Sequence, residues 1–200
     1  MNNTKWIFFD IGSTLVDESI AYQNRIKNTI VGSNVTYNEF MDRLTQSVGN
    51  FKSVCASFGL KPAPWNSDYE IVYPEAEDCL RALSKRYRIG AIANQNPGSK
   101  ERLDRIGLLK YIDLVIASAE EGVAKPDLRI FQIALDRANC KPEEALMVGD
   151  RIDNDIVPAN KIGMKTIWIK QGFGKYCEPK TEKEQPDYTV KNLNELISIL

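Results

Sequence analysis

Histidine is absent from all 200 residues. Its absence excludes Ser-His and Cys-His nucleophile pairs and any His-ligated metal centre. Cysteine is sparse: Cys55, Cys79, Cys140 and Cys177 are scattered and form no CxxC pair. That argues against a zinc site or disulfide framework and fits a reducing cytoplasm. Charge of one sign is missing too, because 26 Lys+Arg balance 27 Asp+Glu. Nothing therefore marks nucleic acid or an anionic membrane surface as a partner. No apolar run approaches the ~18 residues of a membrane span, and the run in "MNNTKWIFFD" is too short for a cleavable signal. Carboxylates, lysine, hydroxyls and backbone groups are left to carry any chemistry.

What is present is an alternation of short apolar runs with helical stretches. "KWIFF" (5–9) reads as a strand buried on both faces. Helices are expected at 18–31, 37–48 and 50–58, and the three prolines of 61–74 mark the return from that helical insert. A βαβ rhythm follows, with helices at 75–86, 99–107 and 128–139 leading to strands at 88–94, 113–118 and 144–150. The next helix carries Pro158, which should shorten or distort it, before a strand at 165–170. Residues 175–187 read as a solvated loop, and "YTV" and "LNELISIL" close the chain as strand and helix. Such alternation implies a Rossmann-like α/β fold, a parallel sheet with helices on both faces and right-handed crossovers. Ligands of such sheets bind beyond the carboxyl ends of the strands. Asp10, Asn94, Ser118 and Asp150 all fall there.

Four pieces of sequence carry chemistry, each with a plainer reading beside it. Asp10 is followed at once by Gly12, Ser13 and Thr14, a turn that can cradle an anion or simply cap itself. In "VGDRIDND", Asp150, Asp153 and Asp155 either crowd round a hard cation such as Mg²⁺ or cap a helix. Lys125, held by Pro126, can pair with phosphate or carboxylate, or sit in a surface loop while Asp127 caps the next helix. Ala93 and Asn94 end the second core strand, where backbone N–H groups can bind an anion, although Ala93 supplies no hydroxyl.

Taken in order, these pieces make the chain resemble the haloacid dehalogenase superfamily of hydrolases, from Ile7 to about Gly174. The resemblance makes Asp10 the nucleophile that forms an aspartyl-phosphate, and Lys125 its catalytic partner. It places Mg²⁺ on Asp10, the Gly12 carbonyl and Asp150, with Asp155 orienting the metal's waters. Thr14 and the N–H groups of Ile11, Asn94 and Gln95 would complete the phosphate site. It also implies a small helical cap at 17–71, inserted into a catalytic core of 1–16 and 72–200.

Two positions depart from the family pattern. Gly12 stands where the family has a second aspartate, its general acid and base, and Ala93 stands where it has a Ser or Thr. General acid–base help is worth roughly 10²–10⁴ in rate, so the loss should fall hardest on alkyl phosphates. Asp17 and Glu18, just downstream, are the candidates to replace it. The reading is a Mg²⁺-dependent hydrolase of a small phosphorylated metabolite, an ester or anhydride. The alternative is an impaired relative acting as a phosphate-binding or regulatory module. Dehalogenation finds no halide cradle, and phosphomutase chemistry would need the missing aspartate.

Overall fold

The computed structural model describes residues 3–200. Among them, β1 (Trp6–Phe9), β4 (Arg88–Ala93), β5 (Leu114–Ala117), β6 (Ala145–Gly149), β7 (Lys165–Ile169) and β8 (Tyr188–Val190) form one parallel sheet in the order β5-β4-β1-β6-β7-β8. The central strand has β4 on one side and β6 on the other, pairing Phe9 with Ala91 and with Val148. The strand order reverses there, which opens a crevice at the carboxyl end of β1.

The continuous apolar character of β1 follows from its two-sided burial. Ile7 and Phe9 face one core with Leu80, Ile89, Leu103, Leu193 and Leu196. Phe8 faces the other with Ile92, Ile130, Phe131 and Met147. The first core is closed by α4 (Ala76–Leu83), α5 (Ser99–Arg105) and α9 (Leu193–Ile199), and the second by α7 (Leu128–Ala138) and α8 (Val157–Ile162). Each fully buried side chain of this size contributes about 1.5–3 kcal/mol.

Between β1 and β4 the chain leaves the sheet. A two-stranded antiparallel ribbon, β2 (Val16–Asp17) with β3 (Ile71–Val72), joins its exit to its return. Within the excursion lie α1 (Ser19–Ile30), α2 (Tyr37–Gln46) and α3 (Phe51–Ser57). These helices bury their own cluster of Ile26, Phe40, Leu44, Phe51, Val54 and Cys55. The start of α2 is fixed by a capping box, in which Thr36 N–H donates to Glu39 Oε2 and Glu39 N–H to Thr36 Oγ1. Phe173, from the loop after β7, joins the cluster and meets Tyr22 edge-on, with ring centroids 4.9 Å apart.

The expected elements are all present, within a few residues at their ends. Two features were not expected. Ser118 opens a short helix, α6 (Ser118–Glu121), instead of ending a strand. The stretch after β6 winds first as a π-helical turn, Ile152–Ile156, before α8 begins with Pro158 in its first turn. The helix is thus shortened at its start, where proline costs least. The charged 175–187 segment is largely exposed and carries two 3₁₀ turns, Gly174–Tyr176 and Glu182–Glu184.

Candidate active site

Asp10 stands one residue beyond β1, and its N–H donates to Val148 O on the neighbouring strand at 2.8 Å. The chain then reverses at once. Ser13 N–H donates to Val16 O, and the N–H groups of Leu15 and Val16 both donate to Ile11 O. The turn puts Ser13 at a φ of 58°, the left-handed region that only a few non-glycine residues adopt.

From β6 come Asp150 and, one π-turn on, Asp155. Trp168 Nε1–H donates to Asp150 O at 2.8 Å and anchors the strand end. Asp155 is fully buried and packs so closely on Gly149 that a Cβ there would collide with its carboxylate. Arg151 N–H donates to Asp155 Oδ2 at 3.0 Å. Asp153, by contrast, points outward and pairs with Arg151 at 2.7 Å.

Lys125 precedes α7 across a cis peptide bond to Pro126. As expected, Asp127 caps that helix, accepting Arg129 N–H at 2.9 Å. The Lys125 ammonium donates to Asp10 Oδ1 at 2.6 Å, Asp155 Oδ1 at 2.6 Å and Ile92 O at 2.8 Å. An ammonium has three N–H donors, so all are engaged. Burial works against its charge, but Asp10 and Asp155 outweigh that and hold Lys125 protonated above its ordinary range.

Oxygens of Asp10, Asp150 and Asp155 lie within 4.8 Å of one another. Burial, followed by the charges of Asp155 and Asp10, raises the Asp150 carboxyl well above the usual range. Burial likewise raises Asp155, against the pull of Lys125. Three carboxylates against one lysine leave a buried excess of negative charge. Asp150 receives no side-chain hydrogen bond among the described residues. An all-oxygen, anionic set of this kind fits a hard dication.

The expected phosphate-binding groups divide. Gly12, Asn94, Gln95 and Lys125 line a cavity of about 170 Å³ with Asp10, Asp150 and Asp155. Thr14 does not line it: its side chain is fully buried and its hydroxyl has no hydrogen-bond partner. The tight turn points Thr14 into the core and gives the cavity Ser13 instead. The Ile11 side chain is buried in the core as well, which leaves its N–H, the group expected to serve the phosphate, as all it can offer. Gln95 N–H is already committed to Ser118 Oγ at 3.0 Å, so that expected anion donor is engaged. The Asn94 amide serves Lys125, accepting its N–H at 2.8 Å and donating to its carbonyl at 2.9 Å.

Glu18, Tyr22, Arg151, Asn154 and Phe173 also line the cavity. Burial and the neighbouring charge of Asp10 push the Glu18 carboxyl up to about 8. Of the two acids downstream of Gly12, Asp17 is occupied elsewhere, accepting Ser19 N–H at 2.8 Å at the start of α1.

A parallel sheet whose switch point gathers a strand-end aspartate, a lysine and two further carboxylates defines a hydrolase class. The sequence profile of the haloacid dehalogenase-like hydrolases matches residues 4–163, and the chain belongs to that family. It is an enzyme of that hydrolase type. A glyceraldehyde 3-phosphate phosphatase of Pyrococcus furiosus is 36% identical, the match covering 100% of this chain and 94% of the relative. A pyrimidine 5'-nucleotidase of Escherichia coli is 31% identical, covering 98% of this chain and 97% of that protein. Among solved structures, the hydrolase YfnB of Bacillus subtilis, bound to magnesium, superimposes with a TM-score of 0.77 at 18% identity over 99% of each chain. That likeness speaks for the fold.

Proposed function

We propose that this chain hydrolyses a small phosphate ester or anhydride through an aspartyl-phosphate on Asp10. The observation that carries the reading is Asp10 itself, at the switch point, with one oxygen held by Lys125 at 2.6 Å and its carboxylate beside Asp150 and Asp155. An Asp10 oxygen attacks phosphorus as the bond to the leaving group breaks, and water then cleaves the acyl phosphate. Lys125 holds one Asp10 oxygen and so keeps the carboxylate aimed. A phosphoryl oxygen would contact its ammonium by taking over one of the three present hydrogen bonds.

Asp10, the Gly12 carbonyl and Asp150 would hold Mg²⁺, with Asp155, itself fixed by Lys125 and Arg151, orienting its water ligands. Bound there, the ion would neutralise phosphoryl charge that these carboxylates otherwise repel. The phosphatase and nucleotidase relatives support a small phosphorylated metabolite as substrate. A second cavity of about 450 Å³, lined by Tyr22, Gln23, Tyr37, Tyr73 and Phe173, adjoins the first and suits the leaving group. The helical insert walls that cavity with Asp17, Ser19, Tyr22, Gln23, Tyr37 and Met41, facing the loop after β7, and acts as the selecting cap. Four free thiols fit a reducing cytoplasm.

The test is hydrolysis of an aryl and an acyl phosphate with Mg²⁺, wild type beside Asp10→Asn. Turnover by wild type that vanishes in the variant supports the assignment. Equal rates would overturn it, and Mg²⁺-dependent binding without turnover would favour a phosphate-binding module.

A further inference from the structure

Gly12 and Glu18 share one volume. A Cβ on Gly12 would lie 2.5 Å from Glu18 Oε1, 2.7 Å from the carboxyl carbon and 2.8 Å from Oε2. At separations below 3.0 Å one of the two groups has to move. The carboxyl group of Glu18 thus occupies the space that a side chain on residue 12 would fill, and Glu18 lines the same cavity as Asp10. It is held there by Ser13, whose hydroxyl donates to Glu18 Oε2 at 3.2 Å. Asp10 and Asp155 share Lys125 and Asp153 pairs with Arg151, whereas Glu18 has no ion-pair partner within 4 Å among the described residues.

We infer that Glu18 is the general acid and base of this site. The inference rests on the hydrolase reading above. Its chemistry follows from what an ester demands. When Asp10 attacks, the P–O bond to the leaving group breaks and an alkoxide forms. Glu18 donates its carboxyl proton to that oxygen and becomes a carboxylate. In the second stage a water oxygen bonds to phosphorus, the P–O bond to Asp10 breaks, and Glu18 takes the proton that water gives up. Ester and water are consumed, alcohol and phosphate appear, and both carboxyl groups end as they began. The Glu18 carboxyl fills the space that a side chain on residue 12 would take, so the glycine and the glutamate form a single arrangement.

Glu18→Gln keeps the shape and removes the transferable proton, so it separates this role from packing. The variant and wild type are assayed with Mg²⁺ on an alkyl phosphate and on p-nitrophenyl phosphate, whose leaving group departs without a proton. Alkyl turnover should fall about 10²–10³-fold. The phosphorylation step with p-nitrophenyl phosphate should fall less than about 10-fold, with phosphoenzyme accumulating in mass spectra. A second pair moves the carboxyl. Gly12→Asp displaces the Glu18 carboxyl, and Gly12→Asp with Glu18→Ala should regain alkyl turnover over Glu18→Ala alone. Equal losses on both substrates, without phosphoenzyme and without rescue, would overturn the role of Glu18 and leave the hydrolase reading intact. No turnover by wild type on either substrate would overturn both.

Discussion

Lys125 and Asp10 lie 115 positions apart in sequence, yet the ammonium and carboxylate meet at 2.6 Å with almost no solvent access. The same ammonium bridges to Asp155 at 2.6 Å. A lysine so placed fixes two carboxylates that would otherwise repel. Removing one partner of a buried ion pair typically costs about 3–5 kcal/mol, because the remaining charge is left uncompensated. Lys125→Met should therefore lower unfolding stability by about that amount in urea titrations, as well as abolish turnover. A change below about 1 kcal/mol would show that the carboxylates find other compensation.

Asp150 supports a prediction of the opposite sign. In the metal-free protein its buried carboxylate adds repulsion without a hydrogen-bonded partner. Asp150→Asn should raise the melting temperature of the metal-free protein by a few degrees, on the order of one kcal/mol. Wild type should gain stability on titration with Mg²⁺, as any ligand of the folded state requires, and the variant should not. A variant that still gains stability from Mg²⁺ would place the ion elsewhere.

Glu18 makes stability depend on pH. The metal-free folded protein holds its proton up to about 8, while an unfolded glutamic acid releases it at about 4.5. Between those values the folded state binds the extra proton, so stability falls as pH rises and levels off above the upper one. Glu18→Gln abolishes that slope. The melting temperature of the variant should gain on wild type by about 10 °C between pH 5 and pH 8. Calorimetry at several pH values checks it, and parallel curves would refute it.

The strand ends were legible in the sequence for a physical reason. A strand buried on both faces must be apolar throughout, so Asp10 and Asp150 stand out as the first carboxylates after "WIFF" and "ALMVG". Lys125 was legible through the rigid Lys-Pro-Asp turn and the cap that Asp127 provides. Orientation within a turn was not. The left-handed Ser13 decides that Thr14 goes inward and that the cavity receives Ser13. Asp17 and Glu18 are neighbours of the same chemistry. Only the start of α1, which engages Asp17, separates them. The engagement of Gln95 N–H by Ser118 depends on two strand ends and the start of α6 coming together, a contact across 23 positions.

Phe173 was equally hidden, because its partners lie in the insert more than a hundred residues earlier. Its ring meets Tyr22 at 4.9 Å and 84°, and a Cβ on Gly49 would touch it at 2.9 Å. It is the aromatic contact from the β7 loop that ties the sheet to the helices facing the cavity. Because it is only partly buried, Phe173→Ala should cost less than the ~3–5 kcal/mol of a fully buried phenylalanine. The sheet's own cores do not contain it, so urea unfolding should retain the sheet's transition. The effect should instead appear in the insert, as faster proteolysis within residues 31–36 or 47–50, where turns join its helices. With the wall of the second cavity loosened, KM for alkyl phosphates should rise several-fold while kcat changes little, since Asp10, Lys125 and Glu18 stay in place. A fall in kcat at unchanged KM would mean that Phe173 aligns the reacting groups and does more than close the cavity over the substrate.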